Sequence, residues 1–118
     1  MARIYHIAAV SDWEQACRDG EYRISTRGKS LADEGFIHAG TAQQVAPVAN
    51  AVYKADADLV VLVIDVDKVG PEIRYEHVPG WEDPFPHVYG PLNVEAVARI
   101  LPLDRDASGR FSFTVSED

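Results

Sequence analysis

Three of the four histidines in this chain of 118 residues stand in the same kind of local setting. His6 follows Tyr5 in Ile4-Tyr5-His6-Ile7, and His38 ends Gly35-Phe36-Ile37-His38. His87 lies in Phe85-Pro86-His87-Val88-Tyr89-Gly90-Pro91-Leu92. Imidazole donates, accepts and changes charge near neutral pH, so such groups suit acid–base work. A single histidine among apolar neighbours is more often a hydrogen-bonded core residue. The same setting used three times points to a shared site. Glu76 is the nearest suitable carboxylate, able to orient a histidine or to stabilise positive charge developing on it. The competing reading pairs it with Arg74 on a solvated strand. Tyr89 shares a face with His87 and brings a hydroxyl donor, unless it is an ordinary half-buried tyrosine. His77 follows Glu76 and, by strand alternation, points away from it. His38, His87 and Glu76 are thus the catalytic candidates.

Other chemistries lack a local signature. No His-x-His, His-x-x-x-His or Cys-x-x-Cys spacing occurs, which leaves only a zinc site assembled from distant strands. No motif activates Cys17 or a serine as a nucleophile. Neither a Walker loop nor a glycine-rich dinucleotide fingerprint is present.

The elements that must position the histidines can be read from pattern. Arg3 to Ala8 alternates as a strand, with Ile4 and His6 on one face and Tyr5 and Ile7 on the other. Ser11 opens a helix with Glu14 in the capping-box position and Gly20 as a left-handed stop. Its buried stripe is Trp13, Ala16 and Cys17, the cysteine being a small core residue. Glu21 to Ser25 is a short strand. Thr26 to Glu34 reads as a loop with a helical turn at Ser30-Leu31-Ala32-Asp33, before Gly35 turns the chain into the His38 strand.

Thr41 and Gln44 form the capping box of a second helix, whose apolar face is Val45, Val48, Ala49, Val52 and Tyr53. Pro47 predicts a kink or a restart there. Ala55-Asp56-Ala57-Asp58 connects to Leu59 to Val66, continuously apolar and β-branched, the central strand buried on both faces. Glu72 to Glu76 alternates as a strand, Val78 to Pro86 is a loop, and His87 to Tyr89 is extended. A short turn at Asn93 to Ala96 precedes a strand from Val97 to Leu103. A polar turn from Asp104 to Arg110 then leads into a last strand, Phe111 to Val115. The sum is an α+β chain with two N-terminal helices and six or seven short strands.

Length and composition frame this as a single domain over 1–118. Hydrophobic residues are 47% and charged residues 25%, ordinary globular values. The longest apolar run is strand-sized, so no membrane span is expected. The start, Met1-Ala2-Arg3, shows no leader pattern, and one cysteine forms no internal disulfide. A cytoplasmic protein is expected. The net charge of -8 counts against a nucleic-acid partner, because such binding rests on cations replacing the counterions of phosphate. The one basic cluster is Arg23, Arg27 and Lys29.

With its motifs in this order, the chain resembles the bacterial domain-of-unknown-function 952 family from about Arg3 to about Ile100. The resemblance rests on Ile4-Tyr5-His6-Ile7, Trp13 with Ala16 and Gly20, Gly35-Phe36-Ile37-His38, Tyr75-Glu76 and, most specifically, Phe85 to Leu92. Members commonly carry a serine where this chain has Gly40. That family is similar in fold to the ADP-ribosyltransferase superfamily, a split antiparallel β-structure with NAD in its cleft. Its RNA 2'-phosphotransferases carry Tyr-His-Gly-Thr on one strand and His-Val-His-Leu-Ser on another. Tyr5-His6 matches the first pair, and Ile37-His38 matches the second histidine and its predecessor. Ile7 and Ala8 replace the glycine and threonine, and the catalytic glutamate has no counterpart, with His87 near where it would be sought.

The resemblance implies an ADP-ribosyltransferase-like α+β fold whose cleft holds NAD or a related phosphorylated small molecule. The binding residues it implies are His6, Tyr5, His38 and Tyr89, with Arg23 and Arg27 neutralising phosphate unless they form a solvated loop. If the protein is an enzyme, His87 or Glu76 serves as acid or base. Two alternatives stand beside this: a binding module that has lost transferase chemistry, and a small-molecule phosphoester or glycosidic hydrolase using histidine catalysis.

Overall fold

The computed structural model describes residues 2–26, 29–53 and 58–115. Strand β1 (Arg3–Ala9) runs directly into helix α1 (Val10–Asp19), which is followed by β2 (Glu21–Tyr22), β3 (Ile24–Thr26) and β4 (Lys29–Ser30). A single turn, α2 (Leu31–Glu34), leads to β5 (Ile37–His38) and then to α3 (Ala42–Val52) and β6 (Leu59–Asp65). The remainder is β7 (Ile73–Glu76), β8 (Phe85–Val88), β9 (Leu92–Asn93), β10 (Val97–Pro102), β11 (Asp104–Arg105) and β12 (Phe111–Ser112). Among the described residues every ladder is antiparallel, so the chain is a mixed α+β fold. No helix among them is long and apolar enough to cross a membrane.

Two three-stranded sheets carry the structure, ordered β1-β6-β10 and β5-β8-β7. The apolar run predicted as central is central: Val61, Leu62, Val63 and Ile64 are all 0% exposed. Burying each such side chain stabilises the fold by about 1.5–3 kcal/mol. Alternation divides the core into two clusters. Tyr5, Ile7, Val61 and Val63 pack with Val45, Val48 and Ala49 of α3. Ile4, Ala8, Leu62 and Ile64 pack with Ala16, Tyr22, Ile37 and Val88. The sheets meet at one bridge, where Tyr5 and Gly40 exchange backbone hydrogen bonds of 2.8 and 2.7 Å.

Several local expectations are corrected. Helix α1 starts at Val10, not at Ser11, because β1 feeds it without a loop. The amide of Val10 donates to the carbonyl of Asp58 at 2.9 Å, and no side chain caps the helix. Cys17 is exposed, not part of the buried stripe: Ala16 is the only fully buried residue of α1, and its neighbour turns outward. The Glu21 to Ser25 strand is broken at Arg23 into β2 and β3, which pair with β9 and β4. The predicted loop after Thr26 pairs with β3, and α2 follows with a full Ser30–Asp33 capping box.

Thr41 and Gln44 close the predicted box on α3, which runs through Pro47. The missing N–H at Pro47 leaves the carbonyl of Gln43 without its helical donor. Packing of Val45, Val48 and Ala49 outweighs that loss. Val52 is 42% exposed instead of lying on the core stripe. The last strand is shorter than predicted, ending at Ser112. The connector Ala55-Asp56-Ala57 lies outside the described residues.

Candidate functional site

The ladder between β5 and β8 sets His38 directly opposite His87, and β7 flanks β8 on its other side. Side chains directly across an antiparallel ladder share a face, as do residues two apart on one strand. One face of this sheet therefore carries His38, His87 and Glu76, with Phe36, Phe85 and Tyr89 interleaved. The opposite face buries Ile37 and Val88 in the core.

On the polar face the side chains form one hydrogen-bonded line. Oε1 of Glu76 lies 2.8 Å from Nδ1 of His87, and Nε2 of His87 lies 3.1 Å from Nδ1 of His38. The Tyr89 hydroxyl donates to the same Glu76 oxygen. A carboxylate only accepts, so Nδ1 of His87 carries a proton. When the His87 ring is neutral, its Nε2 is an acceptor and Nδ1 of His38 donates to it. That leaves Nε2 of His38 as a bare lone pair, with no hydrogen-bond partner among the described residues. His87 is 4% exposed and stacks on Phe36, ring centroids 4.0 Å apart. The guanidinium of Arg74 is not the partner of Glu76. It pairs with Glu72 at 3.1 Å and lies over the Tyr89 ring at 4.5 Å.

Charge states follow from these contacts. Hydrogen bonds from Tyr89 and His87 hold the Glu76 carboxyl below the usual carboxylate range, and the bond to Glu76 pushes Tyr89 up. Burial, reinforced by nearby His87, lowers His38 to about 4, against a smaller opposing effect of Glu34. At neutral pH the His38 ring is uncharged.

His6, expected as a ligand contact, has its ring in the protein interior. Its ring is 2% exposed and both nitrogens are used. Nδ1 donates to the His38 carbonyl at 2.5 Å, and Nε2 accepts from the Tyr22 hydroxyl at 2.8 Å. Burial lowers its pKa to about 4, and the same desolvation, with smaller effects of Asp12 and Tyr53, raises that of Tyr22. His6 thus holds the backbone of the His38 strand from behind. Tyr5, also expected as a binding residue, is 8% exposed in the core, edge-on to Phe113 with centroids 5.9 Å apart. Arg23 pairs with Glu21 at 2.5 Å on the surface. Arg27 lies outside the described residues, and His77 is exposed. The structure therefore brings together His38, His87, Glu76 and Tyr89, and leaves Tyr5 and Arg23 apart.

A groove of about 240 Å³ opens beside His38 and His87. Phe36, Trp81 and Phe85 supply aromatic lining, Val48 and Val52 of α3 apolar lining, and Glu34 a carboxylate. A second void, near Tyr5, His6 and Gly40, is about 20 Å³, the room of about one water. Among the described residues no group of three or more His, Cys, Asp or Glu is placed to hold a metal ion.

Pattern reading passed over some of these residues. Phe36 and Phe85 each stand two residues before a site histidine, so alternation puts them on its face; that signal was available. Ser25 accepts from the His38 amide at 3.1 Å and donates to Glu34 at 2.6 Å, while Thr26 donates to Glu34 at 2.9 Å. No sequence signal marks those three, nor Tyr22, because the contacts are set by packing between elements. Gly40, where a serine is common in the family resembled, is a crowded position. A Cβ there would lie 3.2 Å from Cβ and Oε1 of Gln44, which accepts from the Thr41 amide and donates to the Pro84 carbonyl.

Comparison with known proteins agrees with the motif reading. The family model described as protein of unknown function (DUF952) matches residues 7–100. Two crystal structures of protein CC0527 from Caulobacter crescentus, one of them a double mutant, are each 31% identical to the chain with a TM-score of 0.80, covering 94% of both chains. The solution NMR structure of CC0527 is 34% identical with a TM-score of 0.74, covering 93% of this chain and 91% of that one. No curated protein matches the chain.

Proposed function

The chain belongs to the DUF952 family of proteins of unknown function, and we propose that its groove is an acid–base site for a small molecule. Nε2 of His38 is the proton acceptor, and Glu76 acts through His87 to stabilise the charge that results. The observation that carries this reading is the unbroken line Glu76–His87–His38, with spacings of 2.8 and 3.1 Å. When Nε2 of His38 takes a proton from the ligand, Nδ1 of His38 passes its own proton to Nε2 of His87. The positive charge then rests on His87 beside the Glu76 carboxylate, a favourable charge-assisted pair. Tyr89 fixes that carboxylate, and Phe36 fixes the plane of His87. Positioning of this kind is what general-base catalysis requires. Hydrolysis of a glycosidic bond in a small molecule is a reaction class that such a base serves, and the single cysteine fits a cytoplasmic setting.

A nucleotide-type ligand such as NAD, within an ADP-ribosyltransferase-like cleft, is the second reading. The aromatic walls of the groove support it, since a planar base or nicotinamide would stack on Phe36 or Trp81. The split between the two sheets, bridged at Tyr5 and Gly40, supports the fold part of it.

Long-range proton–nitrogen NMR on the imidazoles tests the first reading. His38 and His87 should both be protonated on Nδ1 and bare on Nε2 near neutral pH. In Glu76→Gln the His87 tautomer preference should weaken. An Nε2-protonated or charged His38 at neutral pH would overturn the proposal. Calorimetry with NAD and ADP-ribose tests the second reading, which fails if neither binds.

A further inference from the structure

We infer that the groove selects ligands bearing a cationic group, such as a protonated amine, and that Glu34 is the residue that selects them. This rests on the groove being a small-molecule site. Glu34 ends α2 and lines the groove beside His38. Among the described residues only its Oε1 is engaged, accepting from Ser25 at 2.6 Å and from Thr26 at 2.9 Å. Both donors are fixed in β3, and Ser25 is 1% exposed, so the carboxylate is held rather than free to swing away. Its other oxygen makes no hydrogen bond among the described residues. The same Ser25 hydroxyl accepts from the His38 amide, so one buried side chain sets the spacing between carboxylate and imidazole.

The rest of the lining matches a cation with an apolar body. Phe36, Trp81 and Phe85 present ring surfaces, and a cation over an aromatic face is attracted by the ring quadrupole. Among the described residues no lysine or arginine lines the groove. Among the described residues no cation of the lining would compensate an anionic ligand facing the Glu34 carboxylate, so the wrong charge is disfavoured as well as the right one favoured. With an amine on Glu34 and its apolar part on the aromatic wall, an adjacent acidic group on the ligand faces His38.

Three probes of similar shape separate the possibilities: phenethylamine, phenethyl alcohol and phenylacetate, followed by NMR shift changes at the groove. Phenethylamine should bind at least about tenfold more tightly than the alcohol, as a charge-assisted hydrogen bond gives, and phenylacetate most weakly. In Glu34→Gln the amine and alcohol should bind alike. The amine preference of the unsubstituted protein should also shrink as salt is raised, while alcohol binding does not change, a readout independent of any variant's folding. Equal binding of amine and alcohol, a preference that survives in Glu34→Gln, or no shift with any probe would overturn the inference. The His38 tautomer is measured without ligand, so failure of the acid–base reading is recorded separately.

Discussion

Acid should destabilise this protein through His6, and the size of the effect can be worked out. The ring is buried and neutral, with its pKa lowered from 6.5 to about 4 by desolvation. The unfolded chain therefore binds this proton first as pH falls, and stability drops between those two values while remaining intact above about 6.5. For a pKa of 6.5 unfolded and about 4 folded, the loss on going from a pH of about 7.5 to about 4.5 is about 2–3 kcal/mol. Other groups also titrate in that window, so the useful quantity is the stability gap between the unsubstituted protein and His6→Gln. Glutamine offers an amide donor and an acceptor but does not titrate. The gap, measured by urea unfolding across the pH series, should narrow by about 2–3 kcal/mol toward acid, because His38 and the carboxylates titrate in both proteins. A gap that stays constant would show that His6 does not charge on unfolding, and would refute the account of its burial.

Two substitutions test the supports behind the site. Tyr22→Phe keeps the ring but leaves the buried Nε2 of His6 without its donor, and should cost about 1–3 kcal/mol in urea unfolding. A loss below about 0.5 kcal/mol would mean the bond to His6 contributes little. Gly90→Ala would place a Cβ 2.9 Å from Cβ and 3.0 Å from Cγ of Pro71, a ring that cannot swing aside. It should cost about 1–3 kcal/mol, the usual range for overpacking. Gly70→Ala, whose Cβ meets only Oδ1 of Asn93 at 3.5 Å, should stay within about 0.5 kcal/mol and serves as the control.

Much of the framework is legible in the residues themselves. Alternation in Ile4-Tyr5-His6-Ile7 divides the two core clusters correctly, because a strand's period of two is fixed by its backbone. The unbroken apolar run from Leu59 marks the strand buried on both faces, and Thr41 with Gln44 marks the start of α3. Where local pattern failed, a neighbour distant in sequence had intervened. The Ser11 cap is absent because Asp58 already satisfies the Val10 amide, and Cys17 faces solvent because only a narrow face of α1 meets the sheet.

The site divides along the same line. Sequence alone determined that three histidines sit on or beside extended apolar segments, and that Glu76 and Tyr89 are within strand reach of one of them. Those are consequences of residue type and short-range periodicity. Only the tertiary structure decided which histidines act together. The register of β5 on β8 sets His38 against His87, and that of β7 on β8 brings Glu76 to the same ring. The ladder β1-β6 instead turns His6 inward to Tyr22. Register joins residues dozens of positions apart, and a shift of one would move every side chain to the other face. Hence the histidines were readable as a set, but their division into a pair lined up with Glu76 and one buried support was not.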